Sequence, residues 1–297
     1  MFFKCKGGSG SNVTIDGVEV EEDLALSSGV MDVSVSTLPY AFSAGDAVVK
    51  DGEIYIMGDN GNSYAYGFYK YNGTSWTKLT NLPYYFWYGD AVVYQNEIHI
   101  LGSNDSNNNY KYHYKYNGTS WTSVSTLPYT FYGSDTVVLN NEIHILGSSV
   151  YGCYKYHYKW NGSKWTSIST LPYEFFYGCA VVKDNEIHIL GSGRDAYFRY
   201  HYKFNGISWT SVSTLPYDFK QGCAVVCKNE IHIMGNSTST NYYRRHYKFN
   251  GTSWTIMDNL PYDFYIGSAV VRNNTINILG GSSPSTQHYE VAKEYYY

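Results

Sequence analysis

Nine histidines, five cysteines and a scatter of carboxylates are the side chains here with acid–base, nucleophilic or metal-binding chemistry. Their spacing argues against each use. His99, His144, His188 and His232 share the context Glu-Ile-His-Ile; His113, His157, His201, His246 and His288 share His-Tyr followed by Lys or Glu. Duplication accounts for all nine. They alternate with Ile and Tyr on predicted strands, which reads as half-buried sheet positions. A metal centre needs ligands converging at ~2.0–2.2 Å, and one histidine per repeat at equivalent strand positions does not converge, so no metal or other cofactor is expected. Cys179 and Cys223 share a repeat position held elsewhere by Asp46, Asp90, Asp135 and Ser268, which suits small residues lining an axial channel. Glu174, Asp218 and Asp263 share another position on three successive repeats. A glycosidase pair must lie ~5–9.5 Å apart, closer than neighbouring repeats bring equivalent residues. No Gly-rich phosphate loop or nucleophile elbow is present. No catalytic residue is expected.

Composition narrows the partners. A net charge of −4 and a pI near 6.1 leave no basic footprint for nucleic acid. No window approaches the ~18 apolar residues of a membrane span. Cys5, Cys153, Cys179, Cys223 and Cys227 form an odd set without a CxxC pair, so a disulfide framework is not expected and folding in a reducing cytoplasm is. The N-terminus, MFFKCKGGSGSN, lacks the apolar core of a secretory signal. Charged residues make up only 15% of the chain and aromatics 19%, so a structural or binding use for so many rings has to be found.

That use lies in a repeat. Leu-Pro-Tyr recurs at Leu38, Leu82, Leu127, Leu171, Leu215 and Leu260, every 44 or 45 residues. Each copy holds four β-like segments: the Ala-Val-Val run, Glu-Ile-His-Ile-Leu-Gly, His-Tyr-Lys-Tyr or -Phe, and a segment opening at the Trp of Ser-Trp-Thr. Asp51-Gly52, Gln95-Asn96, Asn140-Asn141, Asp184-Asn185, Lys228-Asn229 and Asn273-Asn274 join the first two as two-residue turns that need positive φ. An Asn-Gly turn joins the last two, so backbone geometry accounts for the glycosylation-like pattern at Asn72, Asn117, Asn161 and Asn250. No copy carries a helical period. Four short antiparallel strands every ~45 residues predict a β-propeller blade, and six copies predict six blades. The sixth copy lacks a Trp-led fourth segment, whereas Met31 to Thr37 matches one, so an N-terminal strand is expected to close the ring. This divides the chain into a propeller, 31–297, and an N-terminal extension, 1–30, in which residues 13–20 (VTIDGVEV) predict a hairpin that attaches the protein to a larger assembly.

The blade resembles the kelch repeat: GCAVV, IHILGS, the Tyr of HYKF and the Trp of SWT stand in that family's order. The resemblance covers about nine-tenths of the chain and implies a six-bladed, all-β kelch-like propeller. Only Gly280-Gly281 keeps the family's glycine pair; other copies read Gly58-Asp59, Gly102-Ser103, Gly147-Ser148, Gly191-Ser192 and Gly235-Asn236. The family's usual Arg before the first strand is absent, which weighs against a ligand of the acidic-peptide kind. More loosely, the Gly/Ser leader, the VTIDG segment and the uniform copies are similar to kelch-like proteins of bacteriophages infecting Gram-positive bacteria. That likeness implies a virion location, made in the host cytoplasm, with other virion proteins as partners of the N-terminal arm.

Internal repetition also separates scaffold from site. Leu, Pro, Tyr and the following Phe are identical in all six copies and read as blade packing. The next two positions vary: Ser43, Trp87, Tyr132, Phe176, Lys220 and Tyr265, then Ala44, Tyr88, Gly133, Tyr177, Gln221 and Ile266. The loops between segments two and three, on the same face, vary as well and carry Tyr110, Tyr151, Arg194, Tyr197, Tyr242 and Arg244. With Glu174 and Asp218 these make a broad aromatic surface with polar tips. Such a surface suits a host-surface glycan, with ring faces against C–H and polar groups against hydroxyls. The expected ligand-binding residues are therefore Trp87, Tyr88, Tyr110, Tyr132, Tyr151, Glu174, Phe176, Tyr177, Arg194, Tyr197, Asp218, Lys220, Tyr242, Arg244 and Tyr265. The expected function is non-enzymatic binding, with a structural virion or scaffold role as the alternative and a glycoside-active enzyme third.

Overall fold

A computed structural model describes residues 13–15, 18–20, 30–58, 66–103, 111–192, 194–236, 238–281 and 286–294. Its contacts separate residues 1–31 with 294–297 from residues 32–293. In the first unit, Val13–Ile15 pairs antiparallel with Val18–Val20, Val13 opposite Val20.

The second unit is a six-bladed β-propeller, its described residues all-β apart from the short 3-10 turns Asp195–Tyr197 and Thr240–Tyr242. Blade 1 is ordered Asp46–Lys50, Glu53–Met57, Phe68–Tyr71, Trp76–Lys78, and blades 2 to 5 repeat that order. Blade 6 takes three strands from the C-terminal end, Ser268–Arg272, Thr275–Leu279 and Gln287–Glu294. Its fourth is Val30–Thr37, so an N-terminal strand closes the ring. The first strand of each blade lies innermost, against the first strands of its two neighbours.

Local sequence explains the hairpins. Both residues of each turn between strands 1 and 2 have positive φ, from Asp51 and Gly52 at 52° and 75° to Asn273 and Asn274 at 50° and 60°. That is the type I′ geometry that matches strand twist and that Asn, Asp and Gly tolerate best. At the Asn-Gly turns the Asn72 Oδ1 accepts from the Thr74 and Ser75 amides at 2.8 and 2.9 Å. Asn117, Asn161, Asn205 and Asn250 do the same.

The core is divided among the seams between blades. Val48, Met57 and Phe68 of blade 1 pack on Leu82, Phe86 and Ile98 of blade 2, and five more clusters repeat the pattern around the ring. The last, Phe42, Ile54 and Tyr71 against Val270 and Leu279, is the closing seam. The six Phe residues after Leu-Pro-Tyr are 0% exposed; each such burial contributes about 1.5–3 kcal/mol.

Candidate functional site

Where strand 1 begins and strand 2 ends, each blade presents two loops on one face. The repeat-identical residues there are spent on the scaffold. The hydroxyl of the Leu-Pro-Tyr tyrosine donates to the carbonyl of the glycine ending strand 2: Tyr40 to Gly58 (2.8 Å), Tyr84 to Gly102 (3.0 Å), Tyr129 to Gly147 (2.9 Å), and likewise around the ring. That glycine has a φ of 62° to 75°, and a Cβ on it would overlap the Phe carbonyl of the next blade. Both demands fall on the first glycine of the pair. At the second position Ser103, Ser148 and Ser192 fit fully buried.

The two variable positions that follow behave differently. At the second, Ala44, Tyr88, Gly133, Tyr177, Gln221 and Ile266 all have φ between 51° and 59°. Their backbones close a ring of hydrogen bonds around the axis. The Tyr88 amide donates to Ala44, Gly133 to Tyr88, Tyr177 to Gly133, Gln221 to Tyr177, Ile266 to Gln221 and Ala44 to Ile266, at 2.7–2.9 Å. This girdle fixes where six dissimilar side chains start. From it Gln221 Nε2 reaches across the mouth to the Tyr88 hydroxyl (3.3 Å), and Tyr177 donates to the Tyr132 hydroxyl (3.1 Å). Burial, and then the Tyr177 hydroxyl nearby, push the Tyr88 phenol up to about 12. It stays a neutral hydroxyl.

Rings gather on one side of the mouth. Trp87 lies 5.4 Å from Tyr88, Tyr88 5.5 Å from Tyr132 and 5.6 Å from Tyr177, and Phe176 5.6 Å from Tyr177. The cluster continues outward through Tyr154, 5.3 Å from Phe176, to Tyr151, which is 90% exposed. Arg194 lies over the Tyr154 ring at 5.3 Å and pairs with Glu174. The Trp87 indole N–H is buried with no partner among the described residues. At the equivalent two positions blade 1 has Ser43 and Ala44.

The structure therefore brings Trp87, Tyr88, Tyr132, Tyr151, Glu174, Phe176, Tyr177 and Arg194 together. The other expected residues stand apart. Tyr197 packs on Tyr173 and Tyr200 (5.6 and 5.3 Å). Arg244 is occupied by scaffold, its guanidinium donating to the Leu260 carbonyl at 2.7 Å and to that of Pro261, as Arg199 does one blade earlier. Asp218 and Lys220 are tied through their backbones to Asn236, and Tyr265 stacks on Tyr243 at 4.9 Å. Tyr110 lies outside the described residues, as does the side chain of Tyr242. Two residues outside the expected ligand-binding set join the cluster, Tyr154 and Gln221; the disagreement between blades had already marked the Gln221 position as variable.

Below the mouth, a cavity of about 250 Å³ is lined by all six blades. The ring of Asp46, Asp90, Asp135, Cys179, Cys223 and Ser268 lies there, and it staples blades. Asp46 accepts from the Ala91 amide of the next blade (2.8 Å), Asp135 from Ala180 (2.6 Å), and Ser268 donates to Asp46 (3.1 Å). The thiols of Cys179 and Cys223 donate to the carbonyls of Gly222 and Gly267 (3.1 and 3.0 Å). Burial lifts all three carboxyls. Asp135 rises to about 7, and Asp90, between the charges of Asp135 and Asp46, rises well above its ordinary value. Burial likewise raises both thiols, the reverse of what an activated cysteine requires.

The histidines correct the sequence reading. Those of different blades stay apart, but the two of one blade meet. His99 Nδ1 lies 2.8 Å from His113 Nε2, and the pairs His144–His157, His188–His201 and His232–His246 match it at 2.8–2.9 Å. All eight are buried rather than half-buried. Separations of 13 or 14 residues across a variable loop hid this register. No group of three or more His, Cys, Asp or Glu among the described residues is arranged to hold a metal ion.

No protein-family model matches the chain, and no curated protein matches it in sequence. Solved structures do. One described as the structure of YjhT superposes with a TM-score of 0.73 at 14% identity, covering 88% of this chain and 95% of the other. At that identity the likeness is one of fold.

Proposed function

We propose that this propeller is a non-enzymatic binding module of the kelch kind that recognises a host-surface glycan through the aromatic side of its mouth, as part of a phage virion. The asymmetry of the mouth carries the reading. The girdle gives six blades the same backbone launch point, yet among the described residues its neighbouring rings join into one multi-ring cluster on blades 2 to 4, from Trp87 to Phe176, with Tyr265 and Tyr243 forming a separate pair on blades 5 and 6. Packing needs common to every blade do not produce such a difference. Tyr and Trp supply large contact area at low entropic cost with polar tips for hydroxyls. Against catalysis stand the stapling role of the axial carboxyls and the pairing of Glu174 with Arg194. The kelch assignment draws on the first glycine of each pair, kept wherever the next blade's Phe carbonyl approaches. The virion assignment draws on the Gly/Ser leader and the paired strands Val13–Ile15 and Val18–Val20 as an attachment arm.

One observation favours the second reading, a scaffold that docks to proteins: Ile207 and Ile256, on the outer edges of blades 4 and 5, are 82% and 53% exposed. A glycan array probed with wild type and Trp87→Ala separates the two. Binding by wild type that Trp87→Ala loses supports the glycan reading. Silence of both proteins removes it, and turnover of a bound glycan would reinstate an enzyme.

A further inference from the structure

The histidine pairs have no part in the binding face, and their distribution is uneven. Blades 2 to 5 each hold two imidazoles in contact at the junction of strands 2 and 3. Blade 1 has Tyr55 stacked on Phe68 at those positions (5.8 Å). Blade 6 has Asn277 Oδ1 accepting from His288 Nε2 (2.9 Å).

In blade 2 the donors run one way. Trp165 of the next blade donates to the Ser125 hydroxyl (3.0 Å), Ser125 faces His113 Nδ1 (2.9 Å), and His113 Nε2 faces His99 Nδ1. The arrangement in which each of these three contacts joins a donor to an acceptor has Ser125 donating to His113 and His113 donating to His99, both imidazoles neutral. Trp254, Ser213 and His201 repeat the first steps between blades 5 and 4. One added proton per pair still leaves an N–H facing a lone pair. A second proton sets two N–H groups against each other in a buried site. The strand-3 histidines also lie between blades, His113 against Trp160 and Trp165, His157 against Phe204 and Trp209, His201 against Phe249 and Trp254.

Nearby charges do not rescue the protonated form. The carboxylates facing the strand-2 histidines, Glu97, Glu142, Glu186 and Glu230, are already paired with Lys115, Lys159, Lys203 and Lys248 at 2.7–2.8 Å. Lys183 with its partner Asp184 lies near His188, and Lys228 near His232. In blade 6, burial first and then Arg272 hold the single His288 down to about 4, so that blade takes up one proton on opening where blades 2 to 5 take up two.

We propose that the four His–His pairs form an acid-release device: protonation loosens blades 2 to 5, three of which carry the aromatic cluster, while blade 1, with no histidine at these positions, and blade 6, with one, respond less. Burial holds the strand-2 histidines down to about 4 and their partners to about 3, against an ordinary 6.5. An opened blade therefore binds more protons than a closed one below pH 6.5, and the closed state is lost as pH falls through that window. Each proton taken up on opening raises the opening constant about tenfold per pH unit.

Hydrogen exchange of the full chain, resolved by peptide and corrected for intrinsic rate, tests this at pH 7 and pH 4.5. Exchange is expected to rise in strands 2 and 3 of blades 2 to 5 by at least tenfold more than in blades 1 and 6. His99→Asn, which copies the blade 6 pair and leaves one histidine, should cut the acid response of blade 2 alone by about tenfold or more, and His99→Tyr with His113→Phe, which copies blade 1, should abolish it there. The proposal is overturned if all six blades respond equally, if none responds, or if blade 2 of the folded His99→Asn variant stays as acid-sensitive as before.

Discussion

Tyr84 and Tyr88 stand four residues apart in one loop and answer to different demands. Tyr84 has a counterpart in every blade, and each counterpart makes the same bond to a glycine carbonyl. Tyr88 is matched by Ala44, Gly133, Tyr177, Gln221 and Ile266, which share a backbone while only Tyr177 shares the side chain. Within a repeat protein, sameness across blades reports what folding needs. Difference on a common backbone marks where the fold has left the side chain free for another use.

The comparison sharpens first at its structural end. Phe131 is 0% exposed at the seam between blades 2 and 3, and its carbonyl accepts from the Ser103 amide. Phe131→Ala is expected to cost about 3–5 kcal/mol and to lower the thermal midpoint by about 10 °C, read by calorimetry. Glycines come next. Gly147→Ala combines a positive φ of 63°, about 1–2 kcal/mol for an ordinary residue, with overlap on the Phe175 carbonyl, whereas at Gly52, with a φ of 75°, a Cβ meets nothing within 4 Å. Chemical denaturation of the two variants should show Gly147→Ala the more damaged; equal losses would mean the seam is not closely packed there.

A smaller, pH-dependent effect belongs to the axis. Burial first, then the charges of Asp135 and Asp46, hold the Asp90 carboxyl well above its ordinary 3.8. A folded-state value above the unfolded one gives stability that is full below the unfolded value and drains away as pH rises through the folded one. Asp90→Asn stays neutral at every pH. Its stability relative to wild type should grow from about pH 4 upward, and a difference flat in pH would contradict the assignment. The histidine contribution runs the other way, is common to both proteins and cancels in the comparison.

Much of this was legible in the chain. The period of Leu-Pro-Tyr, the Asn- and Asp-rich turns and the match of Met31 to Thr37 with the Trp-led segments lead to six blades and a closing N-terminal strand, as the structure has it. The site was legible only as a set of disagreeing positions. Left-handed backbone at Tyr88, Tyr177, Gln221 and Ile266 is imposed by bonds to neighbouring blades, and only Gly133 hints at it locally. Arg244 looked available because nothing in its own repeat says that the Leu260 and Pro261 carbonyls of the next will claim it. The neutrality of Asp90 arises from three separate blades meeting at the axis, a distance that no local pattern spans.

The central claim, that repeated aromatics fold the protein and unrepeated ones bind, is tested most directly by measuring Tyr84→Phe and Trp87→Ala side by side for thermal midpoint and for binding to the glycan selected on the array. The account predicts that Tyr84→Phe leaves binding intact and loses about 1–3 kcal/mol of stability, because the buried Gly102 carbonyl is left without its donor, while Trp87→Ala loses binding and keeps the greater stability of the two. Tyr84→Phe losing affinity while Trp87→Ala retains it would contradict it.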